Sequence, residues 1–187
     1  SKVEQGIQDL DLDNIDFSAL ISEVLDKIRK RAEEKNMTVS LLLDNDVPDT
    51  INTDRGKLHQ VLINLASNAV QFTPDNGRVT VRAWTAGNKI KIVIEDTGVG
   101  MTEEEVNLAI QPFRHVKNAF TSDLSGVGLG LPIVHAFIEQ LRGDMKIVSG
   151  KGAGTKVEIL LPISLEEELT TGQVEDEQIH RSSDQSG

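Results

Sequence analysis

The sequence predicts an α+β domain built as a two-layer α/β sandwich, about five strands covered on one face by three main helices. Three observations predict it. Apolar residues recur at helical spacing in separate stretches, and between and after them lie runs that alternate apolar and polar residues, the period of a strand. The later strands alternate cleanly, as a sheet does when one face meets helices and the other meets water.

The first stretch, 1–15, is polar and reads as a linker. Phe17, Ile21, Val24, Ile28 and Ala32 then mark one face of a helix, with Asp16 as its N-cap. Val39, Leu41 and Leu43 alternate with Thr38, Ser40 and Leu42, a strand. Asp46–Thr53 holds Pro48 and several aspartates, which predicts a loop or an edge segment. A second helix is expected from about Asp54 to Gln71. Two alternating strands follow, Arg78–Trp84 and Lys89–Glu95, joined by a tight turn at Gly87-Asn88. Thr102-Glu103-Glu104-Glu105 is a capping box that opens a short helix. Gln111–Ser125 has no steady period and reads as a mobile loop. A third main helix is expected from near Leu131, with Pro132 in its first turn and Gly143 at its end. The last strands, Asp144–Ser149 and Thr155–Leu161, flank Gly150-Lys151-Gly152-Ala153-Gly154. The domain is thus expected to cover 16–163. Residues 164–187 carry seven acids against Arg181 alone, which predicts a solvated, mostly disordered tail.

The chain has 187 residues, 38% of them hydrophobic, enough for one core. It has no cysteine, which excludes disulfides and thiolate metal sites and suits a cytoplasmic setting. No apolar run is long enough to span a membrane, so any anchor is expected outside this stretch. A net charge of −11, with one Trp and no Tyr, argues against nucleic acid as a partner. A phosphorylated small molecule remains open, if backbone amides and a metal ion offset its charge.

Three stretches carry chemistry. In the second helix, Gln60, Asn64, Asn68 and Gln71 share one stripe on an otherwise apolar surface with no charge after Lys57. A solvated face would be rich in Lys and Glu, so a stripe of amides points either to a ligand cleft or to a modestly polar surface. At Asp96-Thr97-Gly98-Val99-Gly100-Met101, Asp96 continues the inward parity of Ile90, Ile92 and Ile94. A carboxylate facing the helical layer needs donors, such as the exocyclic amine of a base; the plainer reading is an Asp that starts a turn. The third stretch is Gly126-Val127-Gly128-Leu129-Gly130-Leu131-Pro132, glycines that let a backbone approach phosphates ahead of a helix N-terminus. It matches neither the dinucleotide fingerprint nor the P-loop, whose spacings differ.

In this order the three stretches resemble the catalytic, ATP-binding domain of sensor histidine kinases. These belong to the GHKL superfamily, with type II topoisomerases and certain chaperones. His59–Thr73 is similar to the N box, Asp96–Gly100 to the first glycine box and Gly126–Leu131 to the second. Pro112-Phe113 resembles the F box and Gly154-Thr155 the late Gly-Thr pair. The resemblance runs from about Asp16 to Pro162 and implies the Bergerat ATP-binding fold, with a mixed sheet. Residues 1–6 are similar to the end of a dimerisation helix and its hinge.

The resemblance implies ATP and Mg²⁺ as cofactors. It implies that Asp96 accepts the adenine amine, with Thr155 beneath the ring, and that Asn68 ligates Mg²⁺. Asn64 stands where ATP-hydrolysing relatives carry a Glu that activates water; an amide cannot act as that base. Asn64 and Asn68 are therefore the catalytic candidates. Gln71, Gly98, Gly100, Met101, Gly126, Val127, Gly128, Leu129, Gly130 and Leu131 complete the implied nucleotide pocket, and 111–125 the lid over it. Two departures stand out. Gln71 occupies a position where many active kinases carry Lys or Arg, and Arg114 or Lys117 are the cations that could replace it. The acceptor motif, a His followed by an acid with Pro five residues on, is not met by His59, His115, His135 or His180.

The implied function is transfer of the ATP γ-phosphoryl group to a histidine on a dimerisation helix outside this chain. The implied partners are that phosphoacceptor domain of the same kinase and, indirectly, a response regulator. The chain itself is expected to be monomeric, without direct membrane contact. The alternatives are a nucleotide-binding pseudokinase that signals by docking, an independent ATPase, and a serine-directed anti-sigma kinase.

Overall fold

The computed structural model describes residues 9–110 and 127–172, with only the backbone of 110 and of 127–130. The chain runs β1 (Leu12–Asp16), α1 (Phe17–Glu34), β2 (Thr38–Leu43), β3 (Thr50–Asp54), α2 (Arg55–Gln71), β4 (Arg78–Ala86) and β5 (Lys89–Asp96). It continues through α3 (Glu103–Ile110), α4 (Val127–Gln140), β6 (Asp144–Ser149) and β7 (Thr155–Pro162), and ends in a helix over 165–172, α5. The main sheet has the order β2-β4-β5-β7-β6. β2 and β4 are parallel and the other pairs antiparallel, so the sheet is mixed, as expected.

Both long helices start where an aspartate caps them. Asp16 Oδ1 accepts the Ala19 N–H at 3.0 Å and Asp54 Oδ1 that of Lys57 at 3.1 Å, each satisfying one orphan donor of a first turn. Both helices lay an apolar face on the sheet. Leu20, Ile21, Val24 and Leu25 of α1, with Leu58, Leu62 and Leu65 of α2, join Val79, Val81, Ile90, Ile92, Ile159 and Leu161 in one core. Each such side chain contributes roughly 1.5–3 kcal/mol by leaving water. Among the described residues no helix is long and apolar enough to cross a membrane.

Three expectations are corrected and one is narrowed. First, β1 lies, all but its last residue, within the stretch read as a linker. It pairs antiparallel with β3, because Ile15 and Ile51 stand opposite one another and both are buried. Second, of the loop and the edge segment read for Asp46–Thr53, both occur: turns around Pro48 lead into β3 at Thr50, one edge of this two-stranded ribbon. Third, α4 begins before Leu131, so Pro132 is inside the helix rather than in its first turn. There the ring forfeits the bond to the Gly128 carbonyl and crowds it, a cost that packing of the helix on its neighbours must offset.

Fourth, the acidic tail does not start at Ser164. Leu165 and Leu169, spaced i and i+4, are buried against the domain, and the helix over 165–172 exists to bury them. Its start is fastened through Asn52 of β3, whose N–H reaches the Ile163 carbonyl at 2.8 Å and whose Oδ1 accepts the Glu166 N–H at 2.9 Å. Asn52 Nδ2 also reaches Asn14 Oδ1 in β1 at 3.2 Å. Residues 173–187 lie outside the described residues.

If residues 165–172 belong to the core, Leu165→Ala should lower unfolding free energy by about 2–5 kcal/mol, the usual cost of a buried Leu truncation. The exposed neighbour Glu167→Ala should move it by under about 0.5 kcal/mol. Urea unfolding of both variants checks this; equal midpoints would return 164–172 to the tail.

Candidate functional site

The site grows from the C-terminal end of β5. Ile90, Ile92 and Ile94 are buried on the face that meets the helices, and Asp96 follows them on the same face. Its register partners are Val79 in β4 and Thr155 in β7. Asp96 Oδ1 accepts the N–H groups of Gly98 at 2.8 Å and Thr155 at 3.2 Å. Oδ2 has no protein donor among the described residues. Burial pushes the Asp96 carboxyl above the usual aspartate range, against the two N–H bonds and with a small push from Glu95. Asp96 is thus a half-desolvated acceptor with one oxygen committed and one to offer.

The loop after Asp96 is tied down on three sides. Thr97 exchanges bonds with Arg78 of β4, its N–H to the carbonyl at 3.1 Å and its hydroxyl accepting the Arg78 N–H at 2.9 Å. The Val99 N–H reaches the Phe72 carbonyl at 3.1 Å, which joins the loop to the exit of α2. The Val99 carbonyl accepts the Gly152 N–H at 2.8 Å, which joins it to the β6–β7 turn. Two glycines make these approaches possible. Gly100 and Gly154 both have φ in the left-handed region, at 71° and 78°. A side chain at Gly100 would strike the Gly150 carbonyl, and one at Gly154 the Asp96 carbonyl.

Ser149, absent from the sequence-based candidates, holds the far side of this loop. Its hydroxyl lies 2.8 Å from the Met101 N–H, 3.0 Å from the Gly154 carbonyl and 2.8 Å from the Thr155 hydroxyl. The one signal that could have found it is register: Ser149 ends β6 opposite Thr155.

The amides of α2 form the second part. Gln60 Nε2 donates to Asn64 Oδ1 at 3.2 Å, one turn along the helix. Asn68 is half-buried, and its Nδ2 is buried with no partner among the described residues. An unmatched buried donor of this kind costs about 1–3 kcal/mol. A half-turn of the terminal torsion would present the carbonyl oxygen there instead. The described residues hold no cluster of three or more His, Cys, Asp or Glu side chains able to cage a metal. Mg²⁺ needs no cage: it keeps most of its waters and takes one or two protein oxygens beside phosphates. After that half-turn, the Asn68 carboxamide oxygen would fit that demand. Gln71 is exposed at the last turn.

Structure therefore brings Asp96, Gly98, Gly100, Met101 and Thr155 into one bonded unit, and links it to the helix of Asn64, Asn68 and Gln71 through Phe72. Val127, Gly128, Leu129, Gly130 and the buried Leu131 form the opening turns of α4, which packs on α2 and α3. Lys57 of α2 stacks over the Phe137 ring of α4 at 5.1 Å. Gly126, the Pro112-Phe113 pair, and His115, Arg114 and Lys117 of the expected lid lie outside the described residues.

A sequence profile for histidine kinase-, DNA gyrase B- and HSP90-like ATPases matches residues 53–165, more than half the chain. The chain belongs to this family. A non-motile and phage-resistance protein of Caulobacter vibrioides is 35% identical over 169 residues, covering 87% of this chain and 20% of that protein. A sensor-like histidine kinase of Rhizobium meliloti is 34% identical over 162 residues, covering 87% of this chain and 31% of its own length. The chain thus spans a third or less of these curated relatives. In structure it is similar to the catalytic domain of the histidine kinase ThkA, with TM-score 0.72 and 25% identity over 83% of this chain and 98% of that one. Full-length ShkA in complex with AMPPNP matches with TM-score 0.69 and 28% identity, over 82% of this chain and 31% of that one. The α/β architecture is that of a histidine kinase catalytic domain.

Because burial raises the Asp96 pKa, the folded protein binds this proton more tightly than the unfolded chain. Asp96 therefore costs stability at neutral pH, and the cost fades as pH falls through the folded value toward the unfolded one near ~4. Asp96→Asn keeps an Oδ1 for Gly98 and Thr155 and removes the charge. Its Tm should exceed wild type at pH 7 and converge on wild type at pH 3.5, as followed by circular dichroism. A variant less stable than wild type at pH 7 would show that the two N–H bonds outweigh desolvation.

Proposed function

We propose that this ATPase-family domain binds ATP with Mg²⁺ and passes the γ-phosphoryl group to a histidine on a dimerisation helix outside this chain. The observation that carries the reading is Asp96: a half-buried carboxylate at a strand end with one oxygen fixed and the other unmatched. In this reading Oδ2 accepts the exocyclic amine of adenine, a donor that guanine lacks at that position. Thr155, held by Asp96 and Ser149, forms the floor beside it. Asn68 would hold Mg²⁺ through its amide oxygen, and the ion would supply charge neutralisation on the phosphates. The opening turn of α4 would offer backbone N–H groups to the phosphate end.

Asn64 decides which chemistry the site favours. Its oxygen is occupied by Gln60, and an amide has no basicity with which to activate water. Transfer to imidazole needs no such base, because imidazole is already a nucleophile. What remains for the domain is positioning and electrostatic stabilisation. The partners in this reading are the dimerisation and phosphoacceptor domain, and a response regulator downstream. One observation favours a second reading. Gln71 is exposed and uncharged at the last turn of α2, which suits a domain that binds nucleotide and signals by docking.

Calorimetric titration with AMPPNP and Mg²⁺, then mixing with candidate acceptor domains and ATP, tests both. Asp96→Asn should weaken AMPPNP binding by about 100-fold or more, since it replaces the acceptor of a buried bond with a mixed donor and acceptor. Asn68→Ala should abolish the Mg²⁺ dependence of binding while leaving stability equal to or above wild type, because it deletes an unmatched buried donor. No binding by the wild type would end the reading. Binding without transfer to any acceptor, in the full-length protein too, would favour the docking alternative.

A further inference from the structure

We propose that Lys35 is a positioning residue for the phosphate end of the nucleotide site, acting by neutralising the C-terminal pole of α2. The inference rests on the nucleotide reading above. Lys35 follows the last residue of α1 and caps that helix with its own N–H on the Ala32 carbonyl. Its side chain then crosses to the neighbouring helix. Nζ donates to the Val70 carbonyl at 2.7 Å and the Gln71 carbonyl at 3.3 Å.

The last four carbonyls of a helix have no partner within it. In α2 each finds one. The Asn68 carbonyl accepts the Phe72 N–H at 3.0 Å. The Ala69 carbonyl accepts the Thr73 hydroxyl at 2.6 Å. Val70 and Gln71 are left to Lys35. The set is closed, and its one charged member comes from the C-cap of α1, since the last turn of α2 itself contains no basic residue.

That charge matters because of what α2 carries. The C-terminal end of a helix bears about half a negative charge, felt mainly within the last turn. Asn68 sits one turn from that end, at the place assigned to metal-held phosphates. An uncompensated pole there would repel a triphosphate, and Gln71 offers nothing against it. The Lys35 ammonium does, and it is fixed from behind. The Asn76 N–H holds the Lys35 carbonyl at 2.8 Å, and Asn36 Nδ2 holds Asn76 Oδ1 at 2.7 Å. With the four carbonyls matched, the next one, of Phe72, is left for Val99 of the glycine loop at 3.1 Å.

The test separates charge from capping, and phosphate from base. Lys35→Met keeps the stem, Lys35→Gln keeps a donor without charge, and Lys35→Arg keeps both. Each is titrated with AMPPNP and Mg²⁺ and, separately, with adenosine. Lys35→Met and Lys35→Gln should weaken AMPPNP binding by about fivefold and leave adenosine within about twofold of wild type. Lys35→Arg should match wild type for both. Parallel losses of both ligands would make Lys35 a structural cap only and overturn the proposal, as would unchanged AMPPNP binding in the Met and Gln variants. A wild type that binds neither ligand overturns the nucleotide reading, and that arm is read before any variant. Should Lys35→Met fail to fold, the contrast between the Gln and Arg variants carries the same decision.

Discussion

The site depends on the pair of N–H bonds that Asp96 Oδ1 takes from Gly98 and Thr155. One oxygen thereby fixes the turn after β5 and the start of β7 at once. The arrangement is possible only because the backbone at Gly154 comes within contact of the Asp96 carbonyl, where no side chain fits. Everything else in the loop, from Thr97 on Arg78 to Met101 on Ser149, secures the position this clasp defines. The clasp does not satisfy the carboxylate. Burial still outweighs it, and a group left costly in this way is one that a ligand can relieve.

Asn68 shows the same economy of design by another route. Its amide nitrogen is buried and unmatched among the described residues, a local conflict with the otherwise consistent packing of α2. Natural domains break local rules mainly where they bind or react. Asp96 on the sheet and Asn68 on the helix are two such breaks, on elements joined by Phe72. Both groups fall inside the boxes that carry the resemblance, in a chain that belongs to the histidine kinase-, DNA gyrase B- and HSP90-like ATPases.

Much of this was legible in the sequence because parity and periodicity are local. Ile90, Ile92, Ile94 and Asp96 announce their face by spacing, and the aspartates at 16 and 54 announce their helices by position. What was not legible required partners distant in the chain. β1 and β3 are five residues each, and their pairing joins Ile15 to Ile51. Neither strand has enough alternation to identify itself. Leu165 and Leu169 carry a helical spacing, but among three consecutive glutamates the charge pattern dominates the reading. Ser149 is an ordinary serine until register sets it opposite Thr155. Lys35 reads as a surface lysine until α2 is laid beside it.

Asn52 makes the two ends of the domain one mechanical unit. Through its backbone and side chain it is stitched to the incoming strand at Asn14 and to the outgoing helix at Ile163 and Glu166. Two residues later the same strand ends at Asp54, whose Oδ2 accepts the Asp11 N–H at 3.0 Å while Oδ1 starts α2. The backbone just before Leu12 is thereby joined, across a ribbon only five residues long, to the root of the helix that carries the two asparagines.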